Sequence, residues 1–152
     1  MAIVIEAPKK YSPRENEMSV FLAGGITSCP DWQQDLIELL KDTPDLIMYN
    51  PRRKNFPIKD PNAAEEQITW EYNALQEVDN LIFWFSRGSL NPIVLYELGI
   101  WGNSGGRPLF IGMDKEYERQ QDVIIQTKLA RPEVEIVYSL EDLSVQFLDS
   151  LK

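Results

Sequence analysis

Two glutamates stand where a carboxylate is costly. Glu97 lies in Pro92-Ile93-Val94-Leu95-Tyr96-Glu97-Leu98-Gly99-Ile100-Trp101, and its neighbours one helical turn away are Ile93, Val94, Ile100 and Trp101. Glu71 sits one turn from Ile68, Ala74 and Leu75 on an earlier helical stretch. Ionised carboxylates in such company lose hydration unless something pairs with them or uses them. The bland alternative for Glu97 is a structural pair with Arg52, Arg53 or Tyr96. For Glu71 it is a charge on a solvated helix face. The chain has no histidine, so Ser-His-Asp, Cys-His and His-ligated metal schemes are absent. Two carboxyls in partly apolar surroundings suit a division into nucleophile and proton carrier. That chemistry fits displacement at an acetal carbon through an oxocarbenium-like transition state and a glycosyl-enzyme intermediate. It calls for no metal and no cofactor.

Five strand-helix alternations position these groups. Ala2 to Glu6 reads as a short strand, followed by a polar segment to Glu17 read as edge and loop. Met18 to Ala23 is a buried strand running into Gly24-Gly25-Ile26-Thr27-Ser28-Cys29-Pro30-Asp31. A helix follows to about Lys41, with Trp32, Leu36, Ile37, Leu39 and Leu40 at helical spacing. Leu46 to Tyr49 is the next strand, and Asn50-Pro51-Arg52-Arg53-Lys54-Asn55-Phe56-Pro57 the loop after it. Asn62 to Glu77 is helical. Leu81 to Phe85 is continuously apolar, as expected of a central parallel strand. Ser86 to Leu90 lead to the Glu97 helix, with Asn91 as its N-cap and Pro92 at its first position. That helix is apolar almost all round and is expected to be buried. Leu109 to Ile111 is a strand, Asp114 to Gln120 a short helical piece, Asp122 to Leu129 a helix, Val134 to Val137 a last strand and Leu140 to Leu151 a last helix. The expected architecture is α/β: a flavodoxin-like three-layer sandwich in one domain, residues 1–152. About five parallel strands would carry helices on both faces.

Three loops then meet at the C-terminal edge of the sheet, where open α/β sheets hold ligands. Gly24 to Ser28, between strand and helix, either serves tight packing or offers backbone amides to an anion. Arg52 and Arg53 are either a solvated basic patch or a hold on a phosphate or carboxylate. Trp32, Phe56, Trp70 and Trp84 could stack on a base, but large apolar rings mostly fill cores, Trp84 above all. The net charge of −9 argues against binding a nucleic acid polymer over a wide face. No stretch is apolar enough to span a membrane. The single cysteine, Cys29, and the lack of a signal segment fit a cytoplasmic location.

In their order, several pieces together resemble the nucleoside 2-deoxyribosyltransferase-like family. They are Phe21-Leu22-Ala23-Gly24-Gly25-Ile26, Trp32 opening a helix, Asn50-Pro51-Arg52-Arg53, Trp70-Glu71 with Ala74-Leu75 and then Asp79, Tyr96-Glu97-Leu98-Gly99-Ile100-Trp101, and Pro108-Leu109-Phe110-Ile111-Gly112. They run from Phe21 to about Ile125. The resemblance implies cleavage or transfer of the N-glycosidic bond of a (deoxy)nucleoside or its 5′-monophosphate. Glu97 matches the family nucleophile, and Glu71 falls where relatives carry an acid that assists the leaving base. Asn91 falls where many relatives have an aspartate or serine on the sugar hydroxyls. Gly24, Gly25, Ile26, Thr27 and Ser28 match the segment that holds the sugar or a phosphate. With Trp32, Arg52, Arg53 and Asn91 these are the expected substrate-binding residues. Glu at position 71 and Asn at position 91 depart from the commonest residues, which leaves the sugar preference open. Relatives are usually dimers or higher homo-oligomers with sites completed by a neighbour. Alternative readings are a nucleotide-binding sensor without turnover, or a glycohydrolase of a larger nucleotide such as NAD.

Overall fold

The computed structural model describes Met1–Lys152. The elements are β1 (Ile3–Glu6), β2 (Met18–Gly24), α1 (Trp32–Leu40), β3 (Leu46–Asn50), α2 (Ala63–Glu77), β4 (Asn80–Phe85), α3 (Pro92–Trp101), β5 (Leu109–Met113), α4 (Gln120–Ala130) and α5 (Leu140–Ser150). All five strands are parallel, in the order β1-β3-β2-β4-β5. The expected three-layer flavodoxin-like arrangement is present.

Strand alternation builds the layers. On one face Phe21, Ala23, Ile47, Tyr49, Leu81, Phe83, Phe85 and Ile111 meet Trp70, Leu75, Val94, Trp101 and Val123, which belong to α2, α3 and α4. On the other, Val20, Leu22, Met48, Ile82, Trp84 and Phe110 meet Trp32, Leu36 and Leu40 of α1 and Leu143 and Phe147 of α5. A period of two along buried strands sends successive side chains to opposite faces, so both cores come from one continuous apolar run per strand. Trp84 is in the second core, as its size suggests.

The chain leaves β2 for α1 on one face and β4 for α3 on the other. The loops after β2 and β4 therefore diverge from adjacent strand ends. This is a topological switch point, where such sheets open a crevice. The opposite end of the sheet is closed by arginines. Arg107 Nη1 donates to the carbonyls of Leu75 and Val78 at 2.5 and 3.0 Å, and Arg131 Nη1 to that of Gly102 at 2.6 Å. They serve the C-terminal carbonyls of α2 and α3, whose last turns carry no basic residue of their own.

Three expectations are corrected. Val134 to Val137 is not a strand: only Val137 joins the sheet, by one bridge to Gly112. A turn in which the Val134 amide donates to Arg131 O, just after Pro132, brings the chain in too late for a ladder. Asp114 to Gln120 forms turns, and α4 starts at Gln120. The Glu97 helix is not buried all round. Val94 and Trp101 face the core, while Ile93 and Tyr96 are 65% and 69% exposed. A helix lying on one side of a sheet has one covered face, and Ile93, Tyr96 and Ile100 on α3's other side stay exposed.

Candidate active site

The residues around α3 are held by a folded-back loop. Asn91 occupies the N-cap position, and its carbonyl accepts from the Leu95 amide at 3.0 Å. Its side chain does not cap the helix, contrary to expectation. Asn91 is in the left-handed region, at φ 53°, which turns its amide group back into the loop. There Nδ2 donates to the carbonyls of Ser86 and Ser89, each at 3.0 Å. The Tyr117 hydroxyl donates to Leu90 O at 2.8 Å. Both interactions fix the angle at which α3 leaves the sheet.

Glu97 is half-buried in the second turn of α3 and meets no cation. Burial first, and the nearby charge of Glu71 second, push its pKa up to about 8. Glu71 is half-buried on α2, and burial raises its pKa too, opposed by a hydrogen bond from Gln67. Neither bland alternative holds: Glu97 has no arginine or tyrosine partner, and Glu71 is not a solvated charge. Two carboxyls in a poorly hydrated place, one raised by the other's charge, resist being ionised together.

Gln67 was not apparent as a site residue from sequence. Its Nε2 donates to Glu71 Oε1 at 3.1 Å and to Pro51 O at 2.7 Å. It thereby ties the loop after β3 to the carboxyl pair. The available signal was its spacing, one turn before Glu71 on the same helix face.

The two arginines have different surroundings. Arg53 is largely buried over the ring of Phe56, 5.3 Å from its centroid, with Glu66 3.5 Å from Nη1. Arg52 reaches across to the first loop. Its Nη2 contacts the carbonyls of Gly25, Ile26, Cys29 and Pro30 at 3.4, 3.0, 3.2 and 3.1 Å. Its Nε donates to Gln33 Oε1 at 3.1 Å.

Trp32 is buried beneath the same loop and donates from Nε1 to Gly25 O at 3.1 Å, so its ring is not free to stack on a ligand. The loop lies tightly on its supports. A Cβ on Gly24 would run into the Trp32 ring and Trp84 O, and one on Gly25 into Asn91 Oδ1 and Cys29 Sγ. These approaches require glycine. Thr27 and Ser28 are exposed at the loop tip, with Ser28 at φ 61°.

The fold thus joins all three loops. Arg52 links the second to the first, Asn91 links the third to the first through Cys29 Sγ, 3.7 Å from its Oδ1, and Gln67 links the second to Glu71. Two hollows, of about 360 and 830 Å³, lie elsewhere: one between α3 and α4, the other between Pro8–Pro13 and α2. Glu97 and Glu71 line neither.

The family model described as nucleoside 2-deoxyribosyltransferase like matches residues 17–117, more than half of the chain. The chain belongs to the nucleoside 2-deoxyribosyltransferase-like family. The match spans β2 to the turn after β5, and so contains Glu97, Glu71 and all three loops. A comparison with curated proteins gave no match. No helix is long and apolar enough to cross a membrane. Membership indicates deoxyribosyltransferase-like chemistry on a small nucleoside-related molecule.

Proposed function

We propose that this protein cleaves or transfers the N-glycosidic bond of a (deoxy)nucleoside or nucleoside 5′-monophosphate, with Glu97 as nucleophile. The observation that carries this reading is the carboxyl pair: Glu97 and Glu71, half-buried, electrostatically coupled and without a cation, in a chain of this family. The Glu97 carboxylate attacks the anomeric carbon as the bond from that carbon to the base nitrogen breaks. Glu71 gives its proton to the departing base. Water or a second base then attacks the glycosyl-enzyme ester, returns a proton to Glu71 and frees Glu97. Gly24, Gly25, Ile26, Thr27 and Ser28 form the wall facing the sugar or its phosphate. Arg53, on the loop after β3, is the cation assigned to the sugar or its phosphate, and Trp32, Arg52 and Asn91 support the wall.

Incubation with a panel of nucleosides, nucleoside monophosphates and NAD, with free base followed by chromatography, tests the reaction. Base is expected from a nucleoside or monophosphate. Release from NAD alone would move the reading to a larger nucleotide. Tight binding with no base released from anything would make the protein a sensor.

The exposed apolar side of α3 bears on assembly. Ile93, Tyr96 and Ile100 of α3 and Ile68 and Tyr72 of α2 are all exposed, and the Tyr72 and Trp101 rings meet edge to face at 5.2 Å. We propose that a second copy of the chain covers this surface beside Glu97, giving a homodimer or higher homo-oligomer. Sedimentation is expected to show a dimer or larger species for the parent protein and a monomer for Tyr96→Asp, because a charge buried without a partner opposes association. A parent protein that stays monomeric at high micromolar concentration would contradict this.

A further inference from the structure

We propose that Arg52 is a positioning residue, which presents the Gly25–Ser28 backbone to the substrate by gathering that loop's carbonyls behind it. This rests on the reading of Gly24–Ser28 as a substrate-facing wall. The two protons on Arg52 Nη2 are shared among four carbonyls, those of Gly25, Ile26, Cys29 and Pro30. Nε is taken by Gln33, and Asp31 Oδ1 lies 3.5 Å from Nε. The arginine is held in turn, because its own amide donates to Asn50 Oδ1 at 3.0 Å. Nε and Nη2 of this guanidinium are thus committed to the protein.

The consequence lies on the other side of the loop. Peptide carbonyls and amides point in opposed directions, so turning the carbonyls of Gly25 and Ile26 onto Arg52 turns the following amides away from it. The amides of Ile26, Thr27 and Ser28 donate to no backbone acceptor within the chain. Trp32 Nε1 shares Gly25 O with Arg52, and Gly25 lies so close to Asn91 that no side chain fits. Residues whose types suggest substrate ligands form the back of the wall. A planar fork satisfies several carbonyls at once where an ammonium acts as a point donor, so lysine is not equivalent here.

The test compares the parent protein with Arg52→Ala and Arg52→Lys by backbone ¹⁵N relaxation and by base release from 2′-deoxyadenosine and its 5′-monophosphate. Order parameters at Gly25–Ser28 are expected to fall from about 0.85 to below about 0.6 in Arg52→Ala and less in Arg52→Lys. On both probes kcat/KM should drop by about 10²-fold, mostly through KM, as misplacement of a positioned group does. Methylguanidinium added to Arg52→Ala should recover part of the loss, and Arg52→Lys should recover another part. Unchanged loop order, with a loss confined to the monophosphate, would overturn the proposal and make Arg52 a phosphate ligand. If the parent protein releases no base from either probe, the reaction reading fails there, while the relaxation data still decide whether Arg52 orders the loop. Should Arg52→Ala fail to fold, Arg52→Lys carries both measurements.

Discussion

Glu97→Gln is expected to lower base release by at least about 10³-fold, the order of loss when a covalent nucleophile is removed and binding alone remains. Glutamine keeps the shape of the side chain and cannot form the glycosyl ester. Mass spectrometry of rapidly quenched parent protein should show the sugar adduct on the peptide carrying Glu97, and the variant should show none. The pH dependence separates the two carboxyls. The reactive form is the singly protonated pair in its minor arrangement, with the proton on Glu71 and the charge on Glu97, because burial and the charge of Glu71 favour the proton on Glu97. Activity should therefore rise as the doubly protonated pair loses its first proton and fall as the second leaves, near the value of about 8 reached by Glu97. Glu71→Gln removes the second titration and the neighbouring negative charge. The alkaline fall should disappear, and the residual rate should rise with pH to a plateau as Glu97 ionises. If Glu97→Gln turned over as fast as the parent, another group would be the nucleophile.

What could be read from sequence was what short-range pattern controls. Apolar runs of three to six residues located β2, β3, β4 and β5, and helical spacing located α1, α2, α3, α4 and α5. Glu97 was conspicuous because a charge inside Ile93–Trp101 breaks a pattern that spans only two turns. Where the reading failed, tertiary geometry decided. The composition of α3 suits either a buried helix or one that a second chain covers, and periodicity cannot tell these apart. Val134–Val137 has strand composition, but the ladder depends on where the Arg131–Val134 turn delivers it. Asn91 has the residue type of a cap, and its left-handed backbone sends the side chain into the loop instead. Arg52 and Arg53 are adjacent and chemically identical. Only the fold gives one of them four carbonyls and the other a phenyl ring and a glutamate. The contact of Gln67 with Pro51 joins positions that local pattern does not connect.

Glu97→Gln should also make the protein more stable at alkaline pH, the opposite of its effect on turnover. The pKa of Glu97 rises from 4.5 to about 8 on folding, so between these values the folded chain binds more protons than the unfolded chain. Stability then falls as pH rises through this window, and is highest below it as far as Glu97 is concerned. Each pH unit corresponds to about 1.4 kcal/mol, so full displacement sets a ceiling of roughly 5 kcal/mol. Solvent reaches this half-buried carboxyl, and a loss of about 2–3 kcal/mol between pH 5 and pH 9 is the scale expected. Glutamine has no proton to lose there. Melting temperatures of parent and variant should nearly coincide at pH 5 and differ by about 5–10 °C in the variant's favour at pH 9. Other titrating groups shift both proteins alike and cancel in the comparison, apart from Glu71, which the variant relieves of a negative neighbour. An equal decline in both proteins would mean that the fold does not oppose the charge on Glu97. A gap that opens only at alkaline pH would show the fold holding a carboxylate at a cost to its own stability, the signature of a group retained for reaction rather than for packing.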